Sequence, residues 1–153
     1  MLTYLLIIFV IALALAPLSH FIPSKRQRAI AKMREYAAVQ GLFVEFRQVP
    51  GREQGRMRTR DGGGKNTIYY GKRLPPAKEK REQARAWLYE NDTWPGLERR
   101  LPVPAALAHL PALVLAASVD EGSCGIYWQE AGTVADVEQI RQVLEAWSAD
   151  LRN

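Results

Sequence analysis

Cysteine and histidine are scarce in this chain. Among 153 residues there are one cysteine, Cys124, and two histidines, His20 and His109, which lie far apart in the sequence. An internal disulfide is therefore excluded, and no His or Cys pair stands at the spacing of a zinc site. Cys124 falls in an apolar stretch and is interpreted as a small buried strand residue, and His109 as a surface or packing residue. We expect no metal site and no cofactor.

Sequence motifs that carry catalysis are also absent. No nucleophile with a partner histidine and no specific pair of carboxylates can be assembled from the sequence. The stretch from Asp61 to Asn66 resembles a phosphate-binding loop only superficially, because Thr59 stands where that loop needs glycine and Asn66 where it needs Ser or Thr. The first departure removes the glycine of the tight turn and the second removes the hydroxyl group that would bind magnesium, so the sequence does not support nucleotide hydrolysis. With these motifs absent, the sequence favours a protein that is not an enzyme.

Charge is distributed unevenly along the chain. Residues 1–102 hold 19 basic against 9 acidic side chains, whereas residues 103–153 hold 2 against 7. Solubility needs no such division. The pattern indicates that the basic part faces an anionic surface, and a membrane is the nearest candidate.

A long apolar run opens the sequence. From Leu2 to Ile22 there is no charged residue, and 21 helical residues would span roughly 30 Å of hydrocarbon. A cleaved signal peptide is the main alternative, because small-residue pairs near Ala14 and Ala16 resemble cleavage sites, and a buried globular helix is another. The absence of a basic residue before the run, and Pro17 directly after Ala16, favour a retained transmembrane anchor.

Basic residues follow this run and none precedes it. Positive residues beside a span remain on the cytoplasmic side. The sequence therefore predicts a single-pass protein of the bacterial inner membrane with a periplasmic N-terminus and a cytoplasmic C-terminal domain. Residues predicted at the membrane interface, where they could contact anionic phospholipid headgroups, are Lys25, Arg26, Arg28 and Lys32. The alternative is that they are topology determinants on a solvated helix.

The remaining pattern predicts an α+β fold. Its parts are an anchor at 1–22, a basic helix at 23–41 that ends at Gly41, and a domain at 42–153 with an antiparallel sheet of about 4–5 strands and a packed C-terminal helix. Segment 77–90 is ambiguous between helix and strand, with a strand favoured from about Ala84. The predicted strands and helices of the domain are strands 42–49, 67–74, 113–119 and 124–130, a short helix at 105–110, and a final helix that begins at Thr133 with Asp136 in a capping box.

Two further sets of residues are candidate binding surfaces. In the glycine-rich segment 52–66, alternating arginines could contact the phosphates of lipid or RNA, although a solvated loop is the simpler interpretation; they are Arg56, Arg58 and Arg60. On the final helix, an apolar stripe could dock a partner or pack on the sheet of its own domain; it comprises Val137, Ile140, Leu144, Trp147 and Leu151.

The apolar run, the sequence Pro23-Ser24-Lys25-Arg26-Gln27-Arg28 and the passage from Met33 to Gly41 resemble the YajC accessory subunit of the bacterial preprotein translocase, over about the first third of the chain. The same plan occurs in other single-span bacterial proteins. The resemblance implies a non-enzymatic accessory or scaffold subunit of an inner-membrane protein complex, which tethers a small protein-binding domain to the membrane. The alternative is a membrane-tethered binder of RNA or anionic lipid that uses the arginine-rich loop; of these partners, nucleic acid is the less favoured.

Overall fold

The structure, a computed structural model, describes residues 1–15, 23–51, 67–76, 84–98 and 100–152. The chain divides into two compact units, Met1–Ala31 and Lys32–Asn153. The helices are α1 (Leu2–Leu15), α2 (Lys25–Val39) and α3 (Val134–Asp150), with a short 3₁₀ helix at Ala105–His109. The strands are β1 (Phe43–Glu45), β2 (Ile68–Arg73), β3 (Arg85–Leu88), β4 (Val114–Val119) and β5 (Ser123–Trp128).

Helix α1 corrects the membrane prediction. It comprises 14 residues, none of them buried, and at about 1.5 Å per residue it is roughly 21 Å long, short of a hydrocarbon core of about 30 Å. Within the described residues, no helix is long and apolar enough to cross a membrane. The predicted transmembrane helix, and with it a single-pass inner-membrane protein with a periplasmic N-terminus, is therefore wrong. The sequence-based length treated all residues from Leu2 to Ile22 as one helix, and residues 16–22 lie outside the described residues.

Helix α2 is bounded by two local motifs. At its start, the Ser24 backbone N–H donates to Gln27 Oε1 (2.8 Å) and the Gln27 N–H donates to Ser24 Oγ (3.2 Å), which is a reciprocal capping box. At its end, Gly41 has a φ of +79°. The N–H of Leu42 donates to the carbonyl of Ala37 and that of Gly41 to Ala38, which is the Schellman arrangement that glycine permits. The predicted end of this helix at Gly41 is confirmed.

The five strands form one antiparallel sheet in the order β1-β2-β5-β4-β3. The α+β class, the five-stranded antiparallel sheet and the C-terminal helix agree with the sequence. The hairpin of β4 and β5 is confirmed, and so is a strand in the ambiguous segment, because β3 begins at Arg85; residues 77–83 lie outside the described residues.

One face of the sheet, the helix face, is covered by α3. Val137, Ile140 and Leu144 are fully buried there. Trp147 meets Trp87 edge to face, with ring centroids 5.6 Å apart, a stable arrangement for an aromatic pair. The capping box at Thr133 and Asp136 is present, and Cys124 is buried on this face as predicted.

Ion pairs join the C-terminal part of α2 to the rest of its unit. Arg34 makes two hydrogen bonds to Glu130, at 2.8 and 2.6 Å, and Tyr70 donates to the same carboxylate at 2.8 Å. The Glu130 side chain is only 4% exposed, so these donors compensate for the desolvation of its charge. On the surface, Tyr36 Oη donates to Glu138 of α3 at 2.7 Å. The basic part of the chain thus pairs with the acidic part inside one domain.

The opposite face of the sheet, the far face, depends on two glycines that are paired in register. Gly71 of β2 lies opposite Gly125 of β5. The ring of Tyr69 leans over both: a Cβ at Gly71 would lie 2.5 Å from Tyr69 Cε1, and one at Gly125 would lie 2.5 Å from Tyr69 Oη. The ring of Phe43 also covers Gly71. Only residues without a Cβ let the two aromatic rings approach the sheet this closely.

We expect Gly125→Ala to lower the free energy of unfolding by about 2–3 kcal/mol, because the added methyl group would collide with Tyr69 and with the backbone carbonyl of Tyr70. Gly122→Ala is the matched control. Its Cβ would meet nothing closer than 4.0 Å, so we expect a change within about 0.5 kcal/mol. Chemical denaturation of both variants measures the difference, and equal effects would contradict the role given to Tyr69.

Candidate binding site on the far face of the sheet

A row of directly paired residues crosses the far face. Antiparallel partners in register point to the same side of a sheet. From β1 to β3 the row is Phe43, Gly71, Gly125, Ser118 and Ala86. The row is a trough, because its four members after Phe43 are small.

The two halves of this trough differ. Over Gly71 and Gly125 it is filled by Phe43 and Tyr69. In the other half, Ser118 and Ala86 line a cavity of about 410 Å³ that the described residues leave unfilled. The segments 47–51 and 97–98 lie around this cavity. Its volume falls in the range of about 300–1,000 Å³ that is typical of ligand sites.

Arg47 contacts Tyr69 of the filled half and also lines the cavity. Its guanidinium carbon lies 4.3 Å from the ring centroid of Tyr69, within cation–π distance. The same group forms ion pairs of 2.9 Å with Glu45 and with Asp120. The sequence predicted one strand from Leu42 to Val49, whereas β1 ends at Glu45 and Phe46 is 81% exposed. The contacts of Arg47 account for this difference, because they hold the chain after Glu45 over the far face.

Asp120 is the second acid that pairs with the guanidinium group of Arg47. Its Oδ1 accepts hydrogen bonds from the backbone N–H groups of Gly122 (2.9 Å) and Ser123 (2.6 Å), and Ser123 Oγ lies 3.0 Å away. Burial opposes the charged form, but the hydrogen bonds from Gly122, Ser123 and Arg47 outweigh it and lower the pKa of this carboxyl group. Asp120 is therefore ionised at neutral pH and holds the guanidinium group of Arg47 in place.

The tyrosines of the cavity region are neutral at physiological pH. Burial raises the pKa of Tyr69 and of Tyr127. Tyr69 Oη lies 3.2 Å from Ser123 Oγ, and Tyr127 Oη lies 3.4 Å from Ser118 Oγ. The charged side chains on the far-face side of the cavity are Arg47, Glu98 and Asp120. Arg85 also belongs to the lining, but it alternates with Ala86 along β3, so its side chain lies on the helix face.

The residues predicted from the sequence lie elsewhere. Lys25, Arg26, Arg28 and Lys32 are exposed on α2. Arg56, Arg58 and Arg60 lie outside the described residues. In the apolar stripe of α3, Val137, Ile140, Leu144 and Trp147 are buried and Leu151 is half-buried. The stripe packs on the sheet of its own domain, which was the alternative interpretation, so its four buried members are not accessible to a partner.

Sequence reasoning missed the cavity because its parts come from five separate segments, at 47–51, 84–86, 97–98, 118–120 and 127. The only signals were small residues in apolar strands, namely Gly71, Ala86, Ser118 and Gly125. Their alignment depends on strand register, which pairs residues far apart in sequence. Within the described residues, no group of His, Cys, Asp and Glu side chains is arranged to hold a metal ion.

Comparison with protein families, with curated proteins and with solved structures finds no match to this chain. The resemblance to YajC therefore stays a prediction.

We expect Asp120→Asn to reduce stability by about 1 kcal/mol at neutral pH, since the variant loses the ion pair with Arg47 at a partly exposed position. The folded state lowers the pKa of Asp120, so its contribution is complete above the unfolded-state pKa of about 3.9 and is lost as the pH falls through the folded-state value. The difference between wild type and variant should therefore shrink below about pH 4.

Urea denaturation of both proteins between pH 7 and pH 2.5 measures this difference. The pKa values of Glu138 and Glu145 are also lowered, but their effects are common to both proteins and cancel. If the difference in the free energy of unfolding between the two proteins stayed constant over the whole pH range, the ionised carboxylate of Asp120 would not be what stabilises the fold.

Proposed function

We propose that this chain is a non-enzymatic accessory or scaffold protein, which holds a partner protein at the cavity of the far face. The observation that carries the proposal is the cavity of about 410 Å³ that the described residues leave beside Ser118 and Ala86, next to the two rings that fill the other half of the trough. A cavity that combines apolar walls with a few convergent polar groups is typical of a binding site.

The protonation states in the cavity region support binding rather than catalysis. A general acid or base works best when its pKa lies near the working pH. Here the pKa of Asp120 is lowered, while those of Arg47, Tyr69 and Tyr127 are raised. All four shifts move away from neutrality, so these groups can donate and accept hydrogen bonds but do not exchange protons readily at pH 7.

The rigidity of the site also supports binding. Arg47 is held by Glu45 and Asp120, and the Asp120 carboxylate is held by the turn between β4 and β5. A site whose side chains are already fixed loses little conformational entropy when a partner arrives. An accessory subunit that stays bound needs this property more than it needs reactive groups.

Ala86→Leu tests the proposal, because a larger side chain at this floor position would fill the cavity. We expect a partner protein that co-purifies with the tagged full-length chain from its native cells to be lost at least tenfold with this variant. Quantitative mass spectrometry at low and at high salt measures the recovery.

Ala146→Leu is the matched control for this experiment. It makes the same substitution at an exposed position of α3, in a different groove beside the 3₁₀ helix, and should leave recovery unchanged. Thermal unfolding checks that both variants are folded. Equal recovery with the two variants would contradict a partner site at the cavity. Recovery of only salt-labile nucleic acid or anionic lipid would instead favour the arginine-rich loop.

A further inference from the structure

We draw no further inference here: the strongest candidate, the exposed apolar surface of helix α1 (Leu2–Leu15), carries none, because nothing in the described part of the structure shows what covers it.

Discussion

The contact of the Tyr69 ring with Gly71 and Gly125 determines how the far face is built. Because neither glycine has a Cβ, the ring lies directly on the strands, and its hydroxyl group reaches the buried Ser123. Arg47 then stacks on the ring and extends to Asp120. Gly71 and Gly125 thus permit a stack of three layers, which are the backbone of the sheet, the Tyr69 ring and the Arg47 guanidinium group. The segment after β1 is held over the sheet by this stack, and the same segment forms one wall of the cavity.

Three ion pairs among the described residues join the basic part of the sequence to its acidic part. The excess of basic residues before position 103 suggested an anionic surface outside the protein. In the structure, Arg34 pairs with Glu130, Arg47 with Asp120 and Lys72 with Glu145, and each pair joins the basic part to the acidic part. The pair at Glu130 is the most buried of the three, so its geometry matters most for stability. Charge counts along a sequence do not reveal this pairing, because they contain no information about which segments meet.

Local patterns were informative where the structure depends on neighbours in sequence. The end of α2 at Gly41, the capping box at Thr133 and the hairpin of β4 and β5 follow from turn and cap chemistry over a few residues. Features that depend on distant residues could not be predicted. The sequence predicted a strand over residues 42–49, whereas β1 ends at Glu45, because the contacts of Arg47 with Tyr69 and Asp120 depend on residues far away in the sequence. The apolar stripe of α3 was ambiguous between an internal and an external partner for the same reason.

Filling the cavity with a side chain of the protein itself would stabilise the fold but would remove the space in which a partner group could bind. A larger side chain at position 86 or 118 would fill the cavity, just as the rings of Phe43 and Tyr69 fill the space over the two glycines. Sheets with a buried face generally gain stability when such a space is filled, since packing to full density adds dispersion contacts and removes apolar surface from water. Among the described residues, Ala86 and Ser118 leave this space unfilled, and Arg47 and Asp120 lie at its edge. Under the proposed function, a partner group that fills the space would release on binding the free energy that the domain forgoes on folding.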